Sequence, residues 1–285
     1  MDPIRVAAVR YMNTLPLIEG LEQVEGVSFE LSAPARIADL VRAGDVDIGL
    51  ISVVDLAQPG EPLTALPVGM IGCAGETYTV RLYSKVPLDR VTRVHADADS
   101  HTSVVLARLV LHLTHGTVPE TTPFNSSDLA GGSERNWPET LLLIGDKVVS
   151  TPPPAGEYEY ELDLGEAWRA ATGRGFVYAV WACRAADAEP GAPRRRAIEL
   201  AAALLDRQRL HNATRIDAIV RESAPARGWP IDTARRYLNE LLRYQFNDDA
   251  RADAQTFLDQ AHAAKLLPKA TLRTLDAWHP AAAPG

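Results

Sequence analysis

The chain has 285 residues, with 29 lysines and arginines against 37 aspartates and glutamates, which gives a formal net charge of −8 at pH 7. Hydrophobic residues make up 46% and charged residues 23% of the sequence, a globular composition that excludes a chain disordered throughout. The acidic balance argues against a general nucleic-acid-binding protein, which would carry a basic face. It does not exclude an anionic small ligand, because the field inside a pocket can oppose the overall charge.

Predicted strands and helices alternate in the first half of the chain. Short apolar runs predict buried strands at residues 4–9, 27–31 and 46–53. Pro16 suits the first turn of a helix that extends to residue 21, and a second helix begins at Pro34 and ends at Gly44. Strands and helices in this order form a parallel sheet covered by helices.

The rest of the chain combines a longer middle segment with a helical end. Strand patterns recur at residues 63–85, 91–95, 141–144 and 176–183. Helical patterns occupy residues 100–115, 194–210, 232–246 and 248–264. Loop composition dominates residues 119–139 and 151–156. The basic run at residues 194–196 is interpreted as a solvated helix start rather than a nucleic-acid-binding patch.

This order of elements predicts one domain that is interrupted by another. We expect the chain to cross between lobes near residues 83–87 and to return near residues 178–183. The first lobe would then comprise residues 1–84 and 182–285, and the second lobe residues 85–181. Two crossings make a hinge, and a cleft between lobes is a preferred place for a ligand pocket.

The sequence lacks signals for a membrane span or for export. The longest apolar runs, such as residues 176–183, fall far short of the ~20 residues that a bilayer helix needs. The first residues show no secretory signal pattern, so we expect a cytoplasmic protein. Cys73 and Cys183 lie in apolar stretches and are expected to be reduced, buried thiols. Monomer and homodimer both remain open.

Motifs for cofactors and metals are also missing from the sequence. There is no Gly-rich phosphate loop ending in Gly-Lys-Ser/Thr, no dinucleotide fingerprint and no Gly-x-Ser-x-Gly elbow. His112 and His115 share a predicted helix face, but no third ligand accompanies them, so they are interpreted as surface or core-edge residues. We therefore expect no metal ion and no organic cofactor.

Small polar side chains gather where predicted strands give way to helices. They occur at residues 11–16, at residues 97–103 and at Gly145 and Asp146. The carboxyl ends of parallel strands converge on one crevice, and the free N–H groups at a helix start favour an anion. An organic carboxylate is thus a reasonable ligand. The alternative is that Asn13, Ser100 and Thr102 merely cap helices.

Seven short segments carry a resemblance to a known family. Residues 11–17 read Tyr-Met-Asn-Thr-Leu-Pro-Leu. The others are DVDIGLI at 45–51, YSKVPL at 83–88, SHTS at 100–103, LLIGD at 142–146, DLGEAW at 163–168 and FVYAVW at 176–181. In this order they resemble motifs of the chorismate dehydratases of the futalosine route to menaquinone. The resemblance extends over about residues 4 to 265.

The resemblance implies an α/β, two-lobed fold of the periplasmic-binding-protein type (type II), with a cleft between the lobes and a helical C-terminal segment. It also implies a hydro-lyase that eliminates water from chorismate, a small-molecule substrate, to give 3-[(1-carboxyvinyl)oxy]benzoate without a cofactor. Loss of the ring proton and the neighbouring hydroxyl makes the ring aromatic, so the protein mainly needs to bind, orient and exclude solvent. Because none of the matched motifs supplies an obvious base, we propose that the enolpyruvyl carboxylate of the substrate takes the proton.

The resemblance further implies a set of site residues. Asn13 is expected to lie against the reacting part of the substrate, where it orients the departing hydroxyl. Thr79 stands where the family has a serine, and Arg10 stands where a small residue is more common and is expected to point outward. Thr102 and Ser103 are expected to hold a carboxylate. The other predicted substrate-binding residues are Thr14, Ser52, Ser100, Gly145 and Asp146, of which Asp146 could equally be structural.

Two other functions fit the same features. A cytosolic solute-binding protein for a small organic carboxylate would share the fold but perform no chemistry. The related dihydroxynaphthoate-forming enzyme of the same pathway has the same architecture, but it relies on a histidine in its second lobe. His95, His101, His112 and His115 lie outside any motif of that family, which favours the dehydratase.

Overall fold

A computed structural model describes residues 3–97, 101–124 and 137–275 of the chain. The strands are β1 (Ile4–Ala8), β2 (Val27–Leu31), β3 (Ile48–Ser52), β4 (Leu63–Cys73), β5 (Val80–Ser84), β6 (Arg93–Asp97), β7 (Glu120–Phe124), β8 (Thr140–Ile144), β9 (Tyr160–Asp163), β10 (Phe176–Arg184) and β11 (Leu242–Arg243). The helices are α1 (Leu15–Ile18), α2 (Pro34–Ala43), α3 (His101–His115), α4 (Lys147–Ser150), α5 (Leu164–Thr172), α6 (Ala185–Ala188), α7 (Arg195–Ala213), α8 (Ile216–Ser223), α9 (Ile231–Arg236) and α10 (Asp248–Ala263).

The strands form two separate sheets. The first sheet has six strands in the order β11-β4-β10-β3-β1-β2. Its strand β1 pairs in parallel with both β2 and β3, as the alternating pattern at the start of the chain predicts. Strand β10 lies between β3 and β4 and is antiparallel to both. It thus joins β4 to the rest of the sheet, although it comes about 100 residues later in the chain.

The second sheet has five strands in the order β7-β6-β8-β5-β9. Strand β6 is parallel to β7 and β8, whereas β5 is antiparallel to β8 and β9. Helices α3 and α5 pack together in this lobe. The result is two α/β lobes, with α7 to α10 added to the first lobe.

Sheet membership supports earlier positions for the two crossings between lobes than the sequence suggests. Strand β5 pairs only in the second sheet, and β10 pairs only in the first. The expected divisions after residues 84 and 181 therefore fall at the end of one strand and inside the other. We propose that the crossings lie at residues 74–79 and 173–175. An apolar strand looks the same in sequence whichever sheet it joins, so the pattern could not fix this limit.

Helix α2 shows why the elements of the first lobe form where they do. Pro34 occupies its first turn, where its missing N–H costs nothing. Gly44 ends the helix in the left-handed region, with a φ of 77° that glycine adopts without strain. The buried side chains Ile37, Ala38 and Val41 share one face, as the predicted apolar stripe requires.

Several elements differ from the sequence-based expectation. Strands β7 and β9 and helices α5 and α8 were not predicted. The expected helix at residues 232–246 ends as α9 at Arg236, continues as a π-helical turn at Tyr237–Leu241 and then becomes strand β11. Leu242 and Arg243 pair with Cys73 and Gly72 of β4. This sheet contact, formed with a distant segment, stops the helix.

The basic run at residues 194–196 lies at the start of α7, as expected. Arg194 lies 2.9 Å from Asp47, whose side chain is 1% exposed and also pairs with Arg5. Arg195 pairs with Glu199 on the same helix. Two of the three guanidinium groups are thus in close ion pairs within the chain. Cys73 and Cys183 are buried and free, as expected, and no described helix is long and apolar enough to cross a membrane.

Candidate active site

A cavity of about 100 Å³ lies between the two lobes. It collects seven of the predicted site residues: Asn13, Thr14, Ser52, Thr79, Thr102, Ser103 and Gly145. Its other lining residues are Val9, Tyr11, Pro34, Leu50, Ile71, Thr77, Val80, Ile144, Tyr178, Ala179, Tyr237 and Leu242. Both sheets and the C-terminal helical segment thus contribute to one site.

Asn13 sits in a 3-10 turn at Met12–Thr14 that follows strand β1. The turn is stabilised by Thr14, whose hydroxyl lies 2.8 Å from the carbonyl oxygens of Val9 and Tyr11 and accepts from the Tyr11 N–H at 3.1 Å. The hydroxyl of Thr14 is therefore used by the backbone. By contrast, the buried Oδ1 of Asn13 has no hydrogen-bond partner within the described part of the chain. That oxygen is the acceptor this turn presents.

Thr79 and Tyr237 meet at the wall of the cavity. Their hydroxyl oxygens are 2.6 Å apart, and both side chains are almost fully buried. Asn13 lines the same cavity. Burial raises the pKa of Tyr237 well above its ordinary value, more than the hydrogen bond with Thr79 lowers it. Tyr237 is therefore a neutral phenol at physiological pH.

A second buried hydroxyl pair lies at the crossing between lobes. The Tyr178 hydroxyl is 2.6 Å from Thr77 Oγ1, which is in turn 3.2 Å from the Cys73 sulfur. Burial raises the pKa values of both Tyr178 and Cys73. These groups are neutral and paired with one another.

Asp163 fixes the backbone next to Thr79. Its carboxylate caps α5 by accepting from the N–H groups of Gly165 and Glu166. It also accepts from the N–H groups of Thr77 at 2.9 Å and Tyr78 at 2.6 Å. Tyr78 has a φ of 70°, the left-handed region that non-glycine residues rarely adopt. One buried carboxylate therefore holds both the crossing and the helix start.

The first turn of α3 brings two predicted residues to the cavity. Thr102 donates to the Tyr178 carbonyl at 3.1 Å, whereas the hydroxyl of Ser103, a buried residue, has no partner among the residues that the structure describes. Ser52 ends strand β3 opposite Ala179. Ser100 lies outside the described residues. The helix start thus presents one unused hydroxyl and one that is bonded to the backbone.

Gly145 and Asp146 occupy different places although they are adjacent. Gly145 lines the cavity with a φ of 61° and donates its N–H to the Thr79 carbonyl at 2.8 Å. Asp146 does not line it. Its Oδ1 accepts from Trp229 Nε1 at 3.1 Å and from the Met12 N–H at 3.2 Å, and Arg227 lies 3.9 Å from Oδ2. Asp146 therefore supports the turn that carries Asn13.

The cavity wall carries almost no ionisable groups. Among its described lining residues there is no Asp, Glu, His, Lys or Arg, and only the tyrosines titrate. Arg10 points to the surface, where it lies 3.4 Å from Glu19 and 3.7 Å from Glu22. No cluster of three or more His, Cys, Asp or Glu side chains that could hold a metal ion occurs among the described residues.

Four polar lining residues were not among the predicted site residues: Tyr11, Thr77, Tyr178 and Tyr237. Tyr178 lies in a matched segment, so its position could have been noticed. Tyr237 falls on a predicted amphipathic helix, where periodicity indicates burial but not contact with a cavity. Its partner Thr79 is 158 residues away in the sequence, and no local pattern reports such a pair.

The two sheets and the interlobe cavity define a fold of the periplasmic-binding-protein class. Protein AF1704 from Archaeoglobus fulgidus superimposes with a TM-score of 0.66 at 15% identity, covering 93% of this chain and 98% of that one. The periplasmic aliphatic sulphonate binding protein SsuA from Escherichia coli gives a TM-score of 0.62 at 13% identity, covering 100% of this chain and 94% of that one. At such identities the likeness concerns the fold alone.

The sequence places the chain in a particular family within that class. A family model described as menaquinone biosynthesis matches residues 4–263, and the chain belongs to this family. A curated relative, the chorismate dehydratase of Thermus thermophilus, is 30% identical over 67% of this chain and 74% of its own length. The family resemblance seen in the motifs and the two-lobed fold are thereby confirmed.

Proposed function

We propose that this protein is a chorismate dehydratase, a lyase that converts chorismate into 3-[(1-carboxyvinyl)oxy]benzoate and water. The family membership and the relative from Thermus thermophilus support this assignment. The observation that carries it is the cavity wall, which offers hydroxyl, amide and aromatic groups but no described acidic, basic or imidazole side chain. A reaction whose driving force comes from aromatisation needs little more than orientation and exclusion of water.

The proposed reaction breaks one C–H bond and one C–O bond at two neighbouring ring carbons. The proton leaves the carbon that bears the enolpyruvyl ether, and the hydroxyl leaves the neighbouring carbon. The electrons of the C–H bond enter the ring as it becomes aromatic. We assign this proton to the enolpyruvyl carboxylate of chorismate, since the described lining residues include no Asp, Glu, His, Lys or Arg.

Asn13 is the residue we assign to the reacting end of the substrate. Its Oδ1 is buried without a partner among the described residues, and an unsatisfied buried acceptor is costly unless a ligand fills the need. A substrate hydroxyl that donates to this oxygen would satisfy it. Asn13 therefore orients the hydroxyl that departs.

The opposite wall is assigned to the carboxylates of the substrate. Ser103 has a hydroxyl available, and Thr102 lies beside it at the start of α3, where the helix dipole favours negative charge. We assign the ring carboxylate to this position and include Ser52, Ser100 and Gly145 among the binding residues. Thr14 and Asp146 shape the site by holding the Asn13 turn.

Entry of the substrate requires the lobes to separate. The cavity has a volume of about 100 Å³, whereas ligand pockets usually measure roughly 300–1,000 Å³. We infer that the structure represents a closed arrangement and that the lobes open about the crossings. Membership in a biosynthetic family also supports action in the cytoplasm.

A solute-binding protein is the second candidate, since the fold is shared with periplasmic binding proteins such as SsuA. Incubation of the purified protein with chorismate distinguishes the two functions. The dehydratase would consume chorismate and yield one aromatic product lighter by one water, in the presence of a chelator and without added nucleotide. A receptor would bind chorismate, as seen by calorimetry, and return it unchanged.

A pH–rate profile tests the identity of the base. With the substrate carboxylate as acceptor, kcat should stay level through the neutral range, because that carboxylate is already ionised. A titration in kcat that disappears when one protein carboxylate or imidazole is replaced would show an enzyme base instead.

A further inference from the structure

The Tyr237 hydroxyl occupies a position that the family resemblance did not indicate. It lies 2.6 Å from Thr79 Oγ1, and Tyr237, Thr79 and Asn13 all line the cavity. Tyr237 itself is 1% exposed. The ring is fixed by Trp229, which stacks on it at a centroid distance of 5.0 Å and an interplanar angle of 19°. The hydroxyl is thus held in place from two sides.

The contact between the Thr79 and Tyr237 hydroxyl groups is compatible with either one as the donor. Each carries one proton and can also accept a hydrogen bond. When the Thr79 hydroxyl donates to the Tyr237 oxygen, the phenolic proton of Tyr237 is free to point into the cavity that both residues line. Asn13 Oδ1 faces the same cavity and is buried without a partner in the described chain.

We infer that Tyr237 is the catalytic proton donor to the departing hydroxyl of chorismate, and that Thr79 is the positioning residue that directs its proton. This inference rests on the proposed function. In the bound substrate the ring hydroxyl donates to Asn13 Oδ1 and accepts from the Tyr237 O–H. One substrate group thereby satisfies the two unused polar atoms that face it.

The step balances without a co-reactant. As the ring proton passes to the enolpyruvyl carboxylate, the C–O bond breaks and its electron pair leaves with the oxygen. The Tyr237 proton joins that oxygen, so the leaving group departs as water. The resulting phenolate then takes the proton from the carboxylic acid formed on the product, a transfer from a much stronger acid to a much weaker one. Enzyme and product carboxylate return to their starting protonation states.

The other described tyrosines of the cavity are less suited to this role. The Tyr178 hydroxyl is engaged with Thr77 and lies 4.0 Å from the Cys73 sulfur, at the crossing between lobes. Tyr11 is part of the turn before Asn13 and is only half-buried. Burial also keeps the proton on Tyr237, since it raises the pKa of that phenol.

Replacement of Tyr237 by phenylalanine tests the inference. The Tyr237→Phe variant should lower kcat by about 100- to 1,000-fold, the effect typical of removing a proton donor or an oxyanion donor. Its Kd for chorismate, measured by calorimetry, should stay within about threefold of the wild type. Tyr244→Phe is the matched control, because the Tyr244 hydroxyl is buried without a partner in the described chain and does not line the cavity. This control should leave kcat unchanged.

Thr79 provides a second test that keeps the phenol. Thr79→Val removes the donor that occupies the Tyr237 oxygen and should lower kcat about tenfold with little change in Kd, while Thr79→Ser should stay within about threefold of the wild type. If Tyr237→Phe does not fold, the comparison of Thr79→Val with Thr79→Ser tests the inference alone. Equal kcat values for these two variants would then overturn it. A folded Tyr237→Phe variant with wild-type kcat would also overturn it. Either result leaves the proposed function standing, since that fails only if the wild type does not convert chorismate.

Discussion

The carboxylate of Asp146, in the second lobe, accepts hydrogen bonds from the backbone N–H of Met12 in the first lobe, at 3.2 Å through Oδ1 and 3.3 Å through Oδ2. Met12 directly precedes Asn13, so a group of the second lobe holds the turn that presents Asn13 to the cavity. Trp229 donates to the same carboxylate at 3.1 Å. Closure of the lobes and placement of Asn13 are therefore physically linked through Asp146.

Removal of this carboxylate should separate the lobes and disturb the Asn13 turn. In Asp146→Ala the N–H groups of Met12 and Trp229 lose their acceptor, and each such loss costs roughly 1–3 kcal/mol. We expect the free energy of unfolding to fall by about 2 kcal/mol and KM for chorismate to rise at least tenfold. Urea unfolding and steady-state kinetics measure the two effects. Asp146→Asn keeps one oxygen acceptor and should lie nearer the wild type; equal losses in both variants would contradict the acceptor role.

The stability that Asp146 contributes should decrease as the pH rises. Desolvation by burial raises the pKa of this carboxyl, and the hydrogen bonds from Met12 and Trp229 do not fully offset it. A carboxyl with a higher pKa in the folded state favours folding below its unfolded pKa of about 3.9, and this gain is lost as the pH rises through the folded pKa. The free energy of unfolding of the wild type relative to Asp146→Asn should therefore fall from about pH 4 upward. Chemical denaturation at a series of pH values measures this difference.

Asp47 should show the opposite dependence. Burial alone would raise its pKa, but the hydrogen bonds from Arg5 and the charge of Arg194 outweigh burial and lower the pKa. The stabilisation is then present above the unfolded pKa of about 3.9 and is lost as the pH falls through the folded pKa. The same denaturation series on Asp47→Asn should show the advantage of the wild type shrinking toward low pH. If the stability difference between wild type and variant changed with pH in the same direction for Asp47 and Asp146, the opposite pKa shifts of the two carboxyl groups would be contradicted.

Asp163 should contribute more to stability than an ordinary helix cap. It accepts from four backbone N–H groups, two at the start of α5 and two at the crossing, whereas Asn247 caps α10 by accepting from the Ala250 N–H alone. Asn247→Ala should cost about 1 kcal/mol. Asp163→Ala should cost at least about 3 kcal/mol, because four N–H groups rather than one lose their partner. Urea unfolding of both variants compares them.

The same substitution reports on the crossing between lobes. Without the Asp163 carboxylate the Tyr78 N–H loses its acceptor, and the φ of 70° at Tyr78 loses that support, so Thr79 next to it should shift. We expect kcat/KM for chorismate to fall at least tenfold in Asp163→Ala but to be unaffected in Asn247→Ala. A folded Asp163→Ala variant with full activity would show that the crossing needs no such anchor.

Local signals were sufficient for part of the fold. Helix α2 could be predicted with its ends because Pro34 and Gly44 act through their own backbone dihedrals. The limits of the lobes could not be predicted from the sequence. The sheet that β5 or β10 joins depends on the distant strands with which it pairs. The helix expected at residues 232–246 was shortened for the same reason, because β11 pairs with β4.

The site divides in a similar way. Seven residues that were predicted from strand-end positions and family motifs line one cavity. The position of Asp146 behind the Asn13 turn could not be foreseen, because Met12 and Trp229 are 134 and 83 residues away from it in the sequence. Tyr237 was missed because helical periodicity identifies a buried side chain without identifying its partners.

The rate of chorismate dehydration by the wild type and by Asn13→Ala tests the central assignment most directly. Both proteins would be assayed with a chelator present, and 3-[(1-carboxyvinyl)oxy]benzoate would be quantified by mass spectrometry against the chorismate consumed. We predict one product molecule for each chorismate consumed by the wild type, and a kcat at least about 100-fold lower for a folded Asn13→Ala variant. Bound but unconverted chorismate with the wild type, or full turnover by Asn13→Ala, would contradict this account.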